Sequence, residues 1–365
     1  MKKINIVYDN IIYSLQKVGG ISKYWTELIK RQKKNVIFYE LNNQNIFRKN
    51  LKISTFKEAK IPLFILRYFP FLKKIKSGSI FHSSYYRTTF QKDVINITTV
   101  HDFTYNYFTK GLVKIVHIFQ KNIAIKNSDG IICVSNNTKK DLLKFFPSLN
   151  REKIKTIYNG VDNSFFQIKN LKKTISKDLK FLINKKIILY VGERKGIHKN
   201  FSLVLDVIAS LNNYYLVCIG GEKIDIKEKK IIGKKTKNRF YHINKISNDK
   251  LNIIYNISFC LLYPSSYEGF GIPIIESMKA GCPVISTNKS SIPEISGNAA
   301  ILVNKINKNQ IIHSIQLLQN NNLRNKYIKR GLKQSKKFSW DKCFKETLNF
   351  YEKIYKRKIK TSYQI

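Results

Sequence analysis

The chain has 365 residues, enough for two domains with separate cores, and 43% hydrophobic residues, an ordinary share for a soluble globular protein. No apolar run reaches the ~18 residues needed to cross a bilayer, and the start, Met1 to Tyr8, reads as a first strand without a signal-peptide core or cleavage site. The formal charge of +44 admits a composition bias towards lysine or attraction to an anionic membrane surface or phosphate, but the lysines are spread along the chain with no RRM, KH, helix-turn-helix or zinc-finger signature, which argues against nucleic acid.

Residues 3–8 predict a strand, followed by the turn Val18-Gly19-Gly20 and an amphipathic helix around Trp25 to Arg31. A strand, a glycine turn and a helix open many nucleotide-handling α/β domains, although Gly-Gly alone serves turns of every kind. Short strands follow at 36–39, 80–82, 95–100 and 130–134, with helical segments between them. Residues 57–76 hold a proline-interrupted, aromatic-rich stretch flanked by Lys57, Lys60, Lys73, Lys74 and Lys76. Such a segment fits either a bilayer interface or a helix packed on its own domain.

After Asn159-Gly160-Val161-Asp162 the pattern loses its period, and the lysine-rich residues 166–182 read as a linker. A second strand series begins at 187–191 and continues at 215–220, 240–243, 259–263, 283–287 and 299–303. The expected organisation is therefore α/β, with two Rossmann-like doubly wound domains facing a central cleft. The first domain spans 1–165 and the second 183–340, and a C-terminal helix with a basic tail, 341–365, returns to the first. Five scattered cysteines without a Cys-x-x-Cys pair point to reduced, buried thiols in a cytoplasmic protein and not to a zinc site.

Two stretches carry chemistry. In Tyr263-Pro-Ser-Ser-Tyr-Glu268-Gly-Phe-Gly271-Ile-Pro-Ile-Ile-Glu276, two carboxylates flank a glycine loop between a strand and a helix. Carboxylates accept hydrogen bonds from neighbouring hydroxyls while loop N–H groups approach the same ligand, so the pair suits a sugar. The turn after the second domain's first strand, Gly192-Glu-Arg194-Lys-Gly-Ile-His198-Lys199-Asn200, sets two cations where diphosphates bind. In so basic a chain, their position in that turn is what distinguishes them.

Together these stretches resemble the family 4 glycosyltransferases, retaining GT-B enzymes that use nucleotide sugars. Gly192-x-Arg194, Lys199-Asn200, Glu268 to Glu276 with Pro273, and Gly281-x-Pro283-Val carry the likeness. Gly19-Gly20, Thr99-Val-His101-Asp102, Ser135-x-x-Thr138, Asn159-Gly160-Val-Asp162 and Phe338-Ser-Trp340-Asp341 extend it over nearly the whole chain. The resemblance implies that Glu276 holds the nucleotide's ribose and that Glu268, with the backbone of Phe270 and Gly271, contacts the transferred sugar. Arg194 and Lys199 then neutralise the leaving diphosphate in place of a metal, Gly19 and Gly20 approach the phosphates, and His101 lies beside the sugar.

Other readings stand beside these. His101 also fits a strand-end histidine capped by Asp102, and Ser135 with Thr138 fits a plain helix cap. His82, with Tyr85 and Tyr86, is placed on the acceptor side or in a turn, and His117, His242 and His313 read as structural or exposed. The implied activity moves a hexose, GDP-mannose being favoured over UDP-linked donors, to a glycan or lipid-linked acceptor. Its setting is bacterial O-antigen, capsule or lipopolysaccharide assembly, at the inner face of the cytoplasmic membrane, with no cofactor and no metal. The alternatives are another GT-B enzyme, such as a UDP-N-acetylglucosamine 2-epimerase, and a non-catalytic protein that binds nucleotide sugar or membrane.

Overall fold

The computed structural model describes residues 4–59 and 61–362. Residues 1–3, Lys60 and residues 363–365 carry part of the expected first strand, of the basic flank at 57–76 and of the tail, and they lie outside the described residues. The chain divides into two units, one running to Gly160 and resuming at Trp340, the other spanning Val161–Ser339.

In the first unit β1 (Ile6–Asp9), β2 (Val36–Tyr39), β3 (Ile80–Ser83), β4 (Ile95–Val100), β5 (Gly130–Cys133) and β6 (Ile154–Thr156) form one parallel sheet, ordered β2-β1-β3-β4-β5-β6. In the second, β7 (Lys186–Val191), β8 (Tyr214–Ile219), β9 (Phe240–Ile243), β10 (Cys260–Tyr263), β11 (Val284–Thr287) and β12 (Ala300–Val303) form another, ordered β12-β11-β10-β7-β8-β9. Helices cover these sheets, so central strands such as β4 and β10 are buried along their whole length. That is why they read as continuous apolar or β-branched runs without alternation.

Strand order also locates the ligand sites. In the second sheet the chain leaves β7 towards β8 and β9, then crosses back to place β10 on the other side of β7. Open parallel sheets bind ligands beyond the carboxyl ends of the strands at such a reversal. The turn after β7 and the loop after β10 therefore meet at the point where a ligand is expected.

One boundary differs from the sequence expectation, the first stretch of the first unit ending at Gly160 and not at residue 165. The residues expected as a linker, 166–182, belong to the second unit. Phe165, Leu179 and Leu182 are buried, and Phe166 and Ile168 donate backbone N–H groups to the side chains of Asn252 and Asn256. A few apolar anchors hold the segment down although lysines dominate its composition. The C-terminal helix Trp340–Ser362 packs on the helix Gly20–Arg31 and on β4 and β5 of the first unit. Gly130 allows this close approach, since a Cβ there would lie 2.8 Å from both Ile354 and Ile97.

Candidate active site

The site in the second unit grows from two loops tied to each other. After β7 the chain turns at Gly192, whose φ of 137° lies where side chains are strained. A short helical turn, Ile197–Lys199, follows, and Asn200 takes a left-handed conformation (φ 53°, ψ 38°) before the helix Phe201–Ala209. The Asn200 amide donates to Pro264 O at 2.8 Å, and Ser266 donates its N–H to His198 O at 2.8 Å, so the loop after β10 is strapped to the turn after β7. Lys199 and Glu268 thus come together with Nζ 2.6 Å from Oε1.

The acidic loop has its own support. Glu268 donates its backbone N–H to Ser290 Oγ (2.8 Å), while Ser291 Oγ donates to the carbonyls of Glu268 and Phe270. Phe270 is buried edge-on against Phe338, and Gly271 enters the helix Ile272–Lys279 with φ at 94°. Glu276 sits one turn into that helix and accepts a hydrogen bond from Tyr255 OH at 3.1 Å. Burial, and then the Glu276 charge, push the Tyr255 phenol well above its usual range, so it remains a donor. Tyr255, Ser290 and Ser291 carry no sequence signal, because their roles depend on which elements lie side by side.

Arg194 does not occupy the place expected for it. Its side chain is 1% exposed, turned away from Lys199's partner and towards the start of the helix Ile226–Thr236. Nε and Nη2 donate to Glu228, Nη2 to Glu222 O, and Nη1 to Gly220 O and to His242 Nε2 at 3.0 Å. His242 Nε2 also lies 2.9 Å from Gly220 O, so this nitrogen either accepts from Arg194 or donates to the carbonyl that Arg194 shares, and the guanidinium is engaged by neighbours of its own unit. Gly221 makes room for this packing, since a Cβ there would lie 2.7 Å from Nη1. The cation offered beside Glu268 is Lys199.

The first unit's expected residues separate into core and rim. His82 is fully buried: Nδ1 meets Tyr351 OH, Nε2 lies 2.9 Å from Thr99 Oγ1, and Trp25 stands edge-on to the ring. It is a core histidine and not an acceptor contact, because β3 points it between the sheet and the C-terminal helix. His101 is half-buried, edge-on to Tyr24 at 5.0 Å, and burial lowers its pKa to about 4, which leaves a neutral imidazole at pH 7. Tyr85 hydrogen-bonds His117 Nδ1 at 3.0 Å, whereas Tyr86 is buried under the Lys121 ammonium. Gly19 caps the helix Gly20–Arg31 in extended backbone, and no atom would meet a Cβ on Gly20 within 4 Å. Ser135 Oγ accepts the Thr138 N–H as an ordinary helix cap, and all five cysteines are buried and unpaired.

Two doubly wound parallel units, one with an acidic glycine loop and a lysine at its switch point, define a GT-B glycosyltransferase fold. A model described as "Glycosyl transferases group 1" matches residues 171–334, and one described as "Glycosyltransferase Family 4" matches residues 18–165. The chain belongs to the group 1, family 4 glycosyltransferases. It is 37% identical over 112 residues to O-antigen chain mannosyltransferase B of Escherichia coli, covering 30% of this chain and 29% of that one. It is 28% identical over 210 residues to O-antigen chain mannosyltransferase RfbU of Salmonella typhimurium, covering 56% of each. The chain thus matches less than two thirds of the length of either relative. Among solved structures, HepE of Anabaena with UDP-glucose superposes with a TM-score of 0.76 at 13% identity, over 96% of this chain and 100% of that one.

Proposed function

We propose that the protein is a retaining hexosyltransferase that moves a sugar, mannose from GDP-mannose in first place, onto a glycan or lipid-linked acceptor in O-antigen or lipopolysaccharide assembly. The observation that carries the reading is the Lys199–Glu268 pair at the second sheet's switch point, with Glu276 on the helix that follows. Support for the sugar and its setting comes from the two O-antigen mannosyltransferases, and support for a nucleotide-sugar donor from HepE, which was solved with UDP-glucose.

In this reading Glu276 accepts the ribose hydroxyls, oriented by Tyr255. The helix Ile272–Lys279 turns its N-terminus towards the diphosphate, where its dipole favours negative charge. Lys199 leaves Glu268 to meet the charge that develops on the departing phosphate, which removes the need for a metal there. Glu268, freed of its partner, binds the sugar hydroxyls and stabilises positive charge near the anomeric carbon. The bond from that carbon to the phosphate oxygen breaks, the acceptor oxygen bonds on the same face, and the acceptor's proton passes to the departing phosphate. His101, held neutral, serves as a hydrogen-bonding partner for a sugar hydroxyl. Arg194 acts as a positioning residue that shapes the turn bearing Lys199.

The test is nucleoside diphosphate release from GDP- and UDP-sugars with a bacterial lipid or glycan extract as acceptor. Glu268→Ala and Lys199→Ala are expected to lower kcat about 100-fold or more, the cost of losing one preorganised charge partner. Glu276→Ala is expected to raise the donor KM. Arg194→Ala is expected to lower the unfolding midpoint as well as activity, because it strands the Glu228 carboxylate. No turnover with any donor, or full activity in Glu268→Ala, would refute the reading.

A further inference from the structure

The helix Gly111–Lys126 of the first unit is inside out over its first three turns, while Ala124 and Ile125 near its end are buried. Leu112, Ile115, Val116 and Phe119, spaced i, i+3, i+4 and i+7, are exposed, Leu112 to 78% and Phe119 to 66%. His117, Gln120 and Lys121 of the same helix are buried. Lys121 donates to Asp102 O at 3.0 Å and lies 4.4 Å from the Phe103 ring centroid, and His117 stacks on Tyr105 at 3.8 Å. A helix in water carries the opposite polarity. Here His117 and Lys121 are satisfied within the protein and the apolar face has no protein cover among the described residues.

The face continues into the segment that the sequence singled out. Only Leu63–Leu66 of residues 61–72 is helical. Leu66 and Phe71 anchor the segment in the unit, while Phe64, Ile65, Tyr68, Phe69 and Leu72 point outwards beside Phe90. Between the two stretches runs an apolar groove of about 180 Å³, walled by Phe69, Pro70, Phe90, Val116 and Phe119. Gln120 also lines it, with its Oε1 buried and unpartnered. A contiguous apolar area of this kind on a monomer marks a docking surface.

Charge selects the occupant. Residues 61–92 and 103–128 contain no aspartate or glutamate, and Lys73, Lys74, Lys76, Lys92, Lys110 and Lys126 are exposed along these same two stretches. A second copy of a chain with a formal charge of +44 would set one basic face against another. An anionic bilayer interface takes apolar side chains below the headgroups and lysines at their level. We propose that this face seats the protein on an anionic bilayer, with the helix Gly111–Lys126 lying in the interface and the groove open to a lipid chain. The inference names the surface by which a lipid-linked acceptor is reached, and it rests on the geometry independently of which sugar is transferred.

Co-sedimentation with phosphatidylcholine vesicles, with and without phosphatidylglycerol, tests it. The full chain is expected to pellet with the phosphatidylglycerol-containing vesicles and to remain in the supernatant with phosphatidylcholine alone. Leu112→Glu/Phe119→Glu should weaken binding about tenfold or more, and Lys73→Glu/Lys74→Glu/Lys76→Glu should weaken it too. The apolar pair is well exposed, so an unchanged thermal midpoint and unchanged nucleoside diphosphate release with a water-soluble acceptor should accompany the loss. Wild type left in the supernatant, binding indifferent to lipid charge, or Leu112→Glu/Phe119→Glu binding like wild type would overturn the proposal. So would a dimer in size-exclusion chromatography that Leu112→Glu/Phe119→Glu splits. Donor turnover measured on the same preparations keeps failure of the transferase reading separate.

Discussion

Arg194 and Lys199 look alike in the sequence, two cations in one turn, and their surroundings give them different work. Lys199 keeps a half-buried ammonium beside Glu268, while Arg194 spends its guanidinium on Glu228, Gly220, Glu222 and His242. A point charge on a flexible stem can change partners, whereas a planar fork held by several neighbouring groups at once is hard to move. Residue type announced the cations, and only the arrangement of neighbouring carbonyls and carboxylates separated them. His82 teaches the same lesson with a measurable consequence. Burial lowers its pKa to about 3, with the nearby His101 adding to the shift, so the folded protein refuses a proton that the unfolded chain accepts near 6.5. Stability from this site is complete above pH 6.5 and is lost as pH falls from there towards 3. Urea unfolding should show roughly 2 kcal/mol lost between pH 6.5 and 5 on this account. His82→Asn should start less stable and show a shallower acid slope, and an unchanged slope would disprove the assignment.

At the scale of elements, the strands were legible because buried parallel strands write themselves as short apolar runs. β6 was the exception, since Ile154-Lys-Thr156 is a three-residue edge strand with too little pattern to see. The outward apolar face of the helix Gly111–Lys126 was not legible for a different reason. Sequence periodicity finds an apolar stripe but does not say which side of it faces the protein. The C-terminal helix shows how one residue fixes an element's place. Gly130 lets Ile354 and Phe350 press onto β5, with a hypothetical Cβ 3.0 Å or less from each. Gly130→Ala should therefore cost about 1–3 kcal/mol by forcing the helix off the strand. A loss of thermal stability without change in donor KM is the expected result, and a neutral substitution would show that the contact is looser than drawn.

At the scale of the whole molecule, the two units differ in how the chain builds them. The second is continuous from Val161 to Ser339, whereas the first needs the segment from Trp340 onward to cover its sheet. A fragment of residues 161–339 should fold by itself and keep nucleoside diphosphate binding, detectable as a ligand-dependent rise in its melting temperature. A fragment of residues 1–160 should not fold cooperatively, because Tyr351, Phe350 and Ile354 of the absent helix fill its core. A folded 1–160, or a 161–339 fragment that ignores nucleoside diphosphates, would contradict this division. The lysine-rich stretch 166–182 misled the boundary, since composition reports charge and not the few apolar residues that anchor a segment.

The sequence by itself determined the parallel α/β pattern, the family and the carboxylate pair, because strand periods and the spacing from Glu268 to Glu276 are local properties of the chain. Tertiary structure decided which cation faces the acidic loop, that His82 belongs to the core, and that an apolar helix face is turned outwards. Each of those depends on contacts between residues far apart in sequence, where burial and hydrogen-bond partners set a side chain's charge, reach and role.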